Sequence, residues 1–466
     1  MTLVIPGVEV RVVKELVPRG LGATGILGIV GQTEIDPGPP LRAVASMQEF
    51  LSLYGGASAE SLPEVRHAFA NGINEVVVVS LSSNDGGPAS GEFPIREAPG
   101  RLTVRARAAG VFGSQIAVRA IAKEIAGGFL TDIEVFFGDA AQPVEAFRNL
   151  GTDSDKADFF AGVINRDSTF IDFPQFLPSS PEPPEDGLMV PLDSQKRALR
   201  GGHEASPRAY VEAITELESR PEIDLVTVSA AFSDMGDAKQ VYSALISHCD
   251  LMSQRAKPRI GFGQIPTHQG RPNVDAAGDM AQTLTSDRFV LTAPHGYLGA
   301  VIGRVGGLDY FQSPTFKTLR GVTSLSFDFS DSDLRDLLTN GLLPVDRVPR
   351  KGFAMVRGIT TDGGQINVTR IADRAVRHVQ NIAQDFIGRL NTRAQRLAIK
   401  QLIIAAFTRM EQEGALVPST DGTSPAFEVD VESSQADFAQ GIVRIHTAVR
   451  PVRAIDFIYA TILVQA

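Results

Sequence analysis

Several groups of residues in this sequence have types and spacings that could do chemistry. The stretch GLGATG places Gly20, Gly22 and Gly25 at G-x-G-x-x-G spacing. That spacing lets a backbone approach a dinucleotide pyrophosphate when the glycines follow a strand and open a helix whose amides face the phosphate. Here the order is reversed. A strand-like run, ILGIVG, comes after the glycines, and QTEIDPGPP stands where the helix belongs. His248, Cys249 and Asp250 are adjacent, and an imidazole beside a thiol is one way to make a nucleophile. Adjacent residues point apart on a helix, however, and His248 falls seven after Val241 on an apolar face, so a packed histidine is expected. The acidic run DFSDSDLRD resembles a calcium loop, yet counting from Asp331 puts Asp336 where glycine is required and Leu342 where the bidentate Glu is required. Helix capping by Ser330 or Asp331 explains it better. No Walker A loop, G-x-S-x-G elbow or H-E-x-x-H helix occurs. What these residues leave open is an α/β nucleotide-binding enzyme using Gly20–Gly25 or His248.

Charge supplies a different candidate. Between Arg370 and Arg409 there are eight basic residues against two acidic ones, in a chain whose net charge is -10. Either this is a solvated helix face or it docks on an acidic partner, where complementary fields set register. The acidic total and a pI near 5.3 argue against bulk nucleic-acid binding.

The elements that must carry these residues follow from periodicity. With 466 residues, 43% hydrophobic and 21% charged, the chain is expected to fold into two to four domains. Its single cysteine, Cys249, rules out an intrachain disulfide. The N-terminus lacks the basic-then-apolar pattern of a signal peptide, and no apolar run is long enough to span a bilayer, so a soluble protein is expected. Residues 3–17 read as a strand, with Val8, Val10 and Val12 on one face. Capping-box spacing at Ser46/Glu49 and Ser61/Glu64 marks two helices, and EVVVVSL follows as a buried strand. Short strand-like segments fill 90–200, bracketed by NDGGPASG and FLPSSPEPPEDG, which reads as a β-rich insertion. From 201 the α/β rhythm returns: a helix capped by Ser206, then strand, helix and strand. Two long helices follow. The first places Val376, Val379, Ala383, Phe386 and Leu390 on one face, the second Leu397, Ile403, Phe407 and Met410. GIVRIHTAV and AIDFIYATILVQ close the chain as strands, the latter apolar on both faces.

Taken in order, these segments resemble the contractile tail sheath proteins of phages and extracellular contractile injection systems. IPGVEV is similar to the family's PGVYVEE opening. ILGIVGQTEIDPGPPLRAVASMQEFLSLYG resembles its strand, GP-rich turn and helix, and LTVRARAAGVFGSQIAVRA resembles a segment of its insert. LRGGHEASPRAYVEAITELE, APHGYLGAVIGRVGGLDYFQSPTFKTLRGV and INVTRIADRAVRHVQNIAQDF are similar to the later core segments. The chain departs from the pattern in having no Trp, with Phe112 and Phe311 at or near the usual Trp positions, and in placing Glu204 where the family has DG.

The resemblance implies a multi-domain α/β (α+β) fold with terminal strands exchanged between subunits. Its parts would be an N-terminal arm and linker (1–22), the first part of the α/β core (23–90), a β-rich outer insertion (91–200), the core's continuation (201–330) and a C-terminal inner domain with an arm strand (331–466). Val4, Ile5, Val8, Val10, Val12, Ile455, Phe457, Ile458 and Tyr459 would join neighbouring copies by strand addition. Gly20, Gly22 and Gly25 would be a linker hinge. Arg374, Arg377, Arg389, Arg393, Arg396 and Lys400 would face an inner tube. The implied function is that of a structural, non-enzymatic subunit that polymerises helically and contracts by rigid-body rearrangement. It would need no cofactor or metal. Its partners would be copies of itself, the tube protein, and baseplate and cap proteins, with no nucleic acid and no direct membrane insertion. Assembly is expected in the cytoplasm, for a phage tail or injection particle.

Overall fold

The structure, a computed structural model, describes residues 24–81, 85–94, 101–126, 128–176, 193–266 and 272–457. The N-terminal strand expected at 3–17, with Val4, Ile5, Val8, Val10 and Val12, therefore lies outside the described residues, as do Gly20, Gly22, Ile458 and Tyr459.

The described chain divides into two compact units. The larger runs to Ile366 and takes the chain back at Asp456; the smaller is Asn367–Ile455. In the larger unit the chain forms β1 (Ile26–Gly31), β2 (Ala43–Val44), α1 (Met47–Tyr54), α2 (Ser58–Ser61), α3 (Pro63–Asn71) and β3 (Glu75–Ser80). An insertion follows, with β4 (Ser90–Pro94), β5 (Arg101–Ala106), β6 (Ile116–Ile125), β7 (Gly128–Phe137), β8 (Glu145–Gly151), α4 (Phe160–Asp167), β9 (Ile171–Asp172) and β10 (Asp193–Ala198). The core resumes with α5 (Pro207–Ile214), β11 (Leu225–Val228), α6 (Met235–Gln254), β12 (Ile260–Gln264), α7 (Val274–Thr283) and β13 (Phe289–Ala293). It ends with α8 (Leu298–Gly306), α9 (Asp331–Thr339), β14 (Leu342–Val348) and β15 (Gly352–Met355).

Eight strands make the central sheet, in the order β15-β14-β13-β12-β11-β1-β3-β2, parallel throughout except for the antiparallel β15 and β2 at its edges. A parallel sheet is covered on both faces, which is why its strands read as continuous apolar runs. In β3, Val77 and Val79 join the core beneath α5, α6 and α7, while Val76 and Val78 join the core beneath α1, α3 and α8. Helices α3 and α8 approach closely because α8 carries Gly299 and Gly303. A Cβ at either position would lie 2.4 Å from the backbone oxygen of Glu64 or Ala68.

The insertion has its own core. A four-stranded antiparallel sheet (β10-β6-β7-β8) and a three-stranded one (β4-β5-β9) enclose Phe93, Val104, Ile116, Val118, Ile133 and Phe160. On the other face, Asp132 and Glu134 are buried among Arg119, Lys123 and Arg148, which cross-link neighbouring strands.

The smaller unit contains α10 (Ile366–Gln384), α11 (Arg393–Gln412), β16 (Phe427–Glu432), α12 (Gln435–Ala439) and β17 (Arg444–Val449). Its boundary differs from the sequence division at 331, because β14 pairs in parallel with β13 and so ties 331–366 to the central sheet. The first long helix ends at Gln384, and Leu390, expected on its apolar face, is 81% exposed. Gly388, at φ +83°, lies in the turn between the helices. In α11 the buried stripe is Ile399, Ile403, Ala406, Phe407 and Met410, and Leu397 falls outside it.

Candidate functional site

Gly25 stands before β1, at the sheet's amino end, so its position alone is wrong for a dinucleotide loop. The amides that a phosphate would need are already taken: Gly25 N and Ile26 N donate to the two carboxylate oxygens of Asp224 at 3.0 and 2.7 Å. A carboxylate there repels an anion. Gly25 has φ +90°, and a Cβ on it would lie 2.6 Å from the Gly306 oxygen. Its glycine is required by this close approach to the end of α8, so any linker freedom belongs to positions before it.

In an open α/β sheet, ligands bind outside the carboxyl ends of the strands where strand order reverses. Here that point lies between β1 and β11, and the chain's own side chains occupy it. Gln32 is buried just past β1 and Ser229 just past β11. Ser229 Oγ donates to Glu64 Oε2 at 2.5 Å, and Tyr210 Oη lies 3.0 Å from Glu204 Oε2 and 3.1 Å from the Ser229 oxygen. Burial raises the pKa of both Glu64 and Glu204 from the ordinary value, and the Glu204 charge adds a smaller cost to ionising Glu64. The expected capping box at Ser61/Glu64 is absent, because the Ser61 hydroxyl donates to the Gln32 oxygen at 2.7 Å. Leu62 takes the cap position of α3, and the Glu64 carboxyl is committed to Ser229.

His248 and Cys249 are both buried in α6. His248 Nε2 lies 2.8 Å from Nη1 of the fully buried Arg259, which also donates to the oxygens of Leu217 and Arg220. Burial first, and then Arg259, lower the His248 pKa to about 4, so the imidazole is neutral and its lone pair is engaged in holding the arginine. The acidic run at 328–336 is a helix start: Ser330 and Asp333 form a reciprocal capping box on α9. Among the described residues no cluster of His, Cys, Asp or Glu could hold a metal ion, and no helix is long and apolar enough to cross a membrane.

Two open surfaces lie in the smaller unit. Strands β16 and β17 form a two-stranded antiparallel sheet, from Phe427 opposite Val449 to Glu432 opposite Arg444. Among the described residues no further strand pairs with either outer edge. One face of β16, with Phe427, Val429 and Val431, is half-buried beneath α11, where Phe407 meets Phe427 edge-on at 5.6 Å. Glu428, Asp430 and Glu432 face outward, and Lys400 pairs with Asp430 at 3.2 Å. Sequence reasoning missed β16, although FEVDVE carries the signal in its strict alternation.

The six basic residues separate into groups. Arg374 and Arg377 are half-buried on α10. Arg396 is tied to Asn391 Oδ1 at 2.7 Å, and Lys400 to Asp430. Arg389, stacked on Phe386 at 4.5 Å, and Arg393 are exposed, beside Ile387 at 82% and Leu390 at 81% exposure. Towards the C-terminus, Ile455 and Phe457 are exposed and residues 452–457 form no strand; the rest of the strand expected from AIDFIYATILVQ, 458–465, lies outside the described residues. An apolar segment has strand geometry only when an edge is there to pair with it.

The fold thus comprises a doubly wound α/β core, a β-rich insertion and a helical unit with a two-stranded sheet. Solved structures share it along nearly the whole chain. The sheath tail protein from Listeria innocua superposes with a TM-score of 0.54 at 13% identity, over 94% of each chain. The anti-feeding prophage helical sheath in its contracted state superposes with a TM-score of 0.55 at 14% identity, over 99% of each chain. By sequence, the tail sheath protein of Bacillus phage SP01 is 23% identical over 222 residues, 41% of this chain and 36% of that protein. The match thus spans about a third of that relative's length. No protein-family model matches the chain.

Proposed function

We propose that this chain is the structural subunit of a contractile sheath, polymerising helically around an inner tube and driving it by rearrangement of the lattice. The observation that carries the reading is the open sheet β16–β17. Two strands alone are marginally stable, and exposed edges with one apolar face are templates for further strands. The alternating N-terminal segment with Val4, Ile5, Val8, Val10 and Val12, and the C-terminal segment that continues past Ile455 and Phe457 with Ile458 and Tyr459, supply strands of the right pattern. Each added strand is joined by main-chain hydrogen bonds and registered by its alternate side chains. Head-to-tail addition of this kind does not close on itself and builds helices. Gly20 and Gly22 are the linker between the N-terminal strand and the fixed Gly25.

The stroke needs no enzyme and no cofactor. The contracted lattice has the lower free energy through additional surface buried between copies, multiplied over the polymer. The filled crevice at the β1/β11 reversal supports this reading over a nucleotide-binding enzyme. The exposed Arg389 and Arg393 are the strongest of the basic candidates for contact with the tube; baseplate and cap proteins bound the polymer at its two ends. Assembly takes place in the cytoplasm of the producing cell.

Electron microscopy of the purified full-length chain tests the proposal. Hollow tubes of uniform diameter are expected. Discrete single particles at every protein and salt concentration, together with binding of a nucleotide, would point to the enzyme reading instead.

A further inference from the structure

The chain leaves the larger unit after Ile366 and returns to it at Asp456, and the residues flanking that excursion are tied together. Gln365 Nε2 donates to Asp456 Oδ2 at 2.8 Å, Arg357 Nε donates to the same oxygen at 3.0 Å, and Thr315 Oγ1 donates to Oδ1 at 3.4 Å. The Asp456 side chain is 7% exposed, between Ile455 at 81% and Phe457 at 65%. Around it the donors are themselves fixed. Thr315 Oγ1 accepts from Gly358 N at 3.1 Å, and the segment from Thr315 runs along β15 through Phe316 N to the Met355 oxygen and Leu319 N to the Phe353 oxygen. The Phe457 ring lies 5.2 Å from the Arg357 guanidinium. An acidic side chain in an otherwise exposed stretch would ordinarily stay solvated; here three donors from separate points of the chain converge on it.

We propose that this clasp anchors the C-terminal segment, making Asp456 the positioning residue from which the residues after Phe457 are presented to a second copy of the chain. The inference rests on the sheath reading. Tension applied to those residues by a neighbouring copy enters the central sheet through Arg357, Gln365 and Thr315. Without the clasp it would run back along the chain into β17, which has only β16 beside it among the described strands and would peel. The clasp also fixes where the segment starts, which raises its effective concentration at the receiving edge.

The test uses the full chain as wild type, Asp456→Ala, Asp456→Asn and Arg357→Met. Trypsin cleavage after the exposed Arg453, followed by mass spectrometry of the released peptide, reads opening of the clasp in the unassembled subunit. Sedimentation and electron microscopy read polymer yield. Cleavage is expected to be about tenfold faster in Asp456→Ala and less affected in Asp456→Asn, because opening of the clasp sets the rate. Polymer yield should fall about fivefold or more as the segment loses its fixed origin, with thermal unfolding of the subunit unchanged. Wild-type cleavage rates in Asp456→Ala would overturn the clasp; faster cleavage with normal polymer would overturn its positioning role. If Asp456→Ala fails to fold, Arg357→Met and Gln365→Ala carry the same comparison, each removing one donor. Absence of polymer from the wild type would sink the sheath reading, while the cleavage comparison still decides the clasp.

Discussion

Glu204 shows how one residue joins separate parts of the larger unit. Its Oε1 accepts from Val111 N in the insertion at 3.2 Å, and its Oε2 from the Tyr210 hydroxyl of α5. Burial, the largest influence, raises its pKa above the usual value, so at pH values between the unfolded and folded pKa the folded state binds more proton than the unfolded chain. Stability from this source is complete below the unfolded carboxylate pKa and is lost as pH rises through the folded one. Glu204→Gln keeps an acceptor for Val111 and places a donor against Tyr210, which in turn donates to the Ser229 oxygen. The variant's thermal midpoint relative to wild type is therefore expected to rise as pH is raised above the usual carboxylate value; a constant difference would show that the folded-state pKa of Glu204 is not raised. His248 acts in the opposite sense. With its pKa lowered to about 4, its contribution is present above the usual histidine value and is lost as pH falls through about 4.

At the scale of elements, the α3–α8 pair depends on glycine rather than on apolar bulk. Gly303→Ala would favour the isolated helix by about 1 kcal/mol. Its Cβ, however, would sit 2.4 Å from the Ala68 oxygen, a backbone atom that cannot turn aside. Forcing two packed helices apart costs about 1–3 kcal/mol. The clash is expected to win, and the thermal midpoint of the larger unit should fall; calorimetry showing a rise would mean that the helices can separate freely. The same comparison of local and tertiary effects explains the helix starts. Ser46 and Ser206 cap as their spacing predicts, accepting from Glu49 N and Ala209 N. Ser61 does not, because it closes α2 and its hydroxyl donates to the Gln32 oxygen, while the Glu64 carboxyl is held by Ser229.

For the whole molecule, the proposed function is a property of the contacts between copies. Deleting residues 1–18 should leave the thermal unfolding of the subunit unchanged and abolish polymerisation, as read by sedimentation and electron microscopy. Tubes of normal length from the truncated chain would refute strand exchange by that segment. Reversing Arg389 and Arg393 together to Glu should weaken co-sedimentation with the tube protein about tenfold at low salt, since charge complementarity across an interface acts mainly on encounter and register. Equal association would direct attention to Ile387 and Leu390, the exposed apolar residues beside them.

Periodicity alone determined the α/β core, the β-rich insertion, the Ile403, Phe407 and Met410 part of the α11 stripe and the misfit of GLGATG with a dinucleotide site, because each depends on residues near one another in the chain. The order of segments along its length carried the resemblance to sheath proteins. Only the tertiary structure decided that 331–366 belongs to the central sheet, that Glu64, Glu204 and Tyr210 fill the crevice at the strand reversal, and that Asp456 is clasped by residues up to 141 positions away. Those outcomes rest on which distant groups meet. A carboxylate's type says that it needs partners, but its sequence neighbours do not say where they come from.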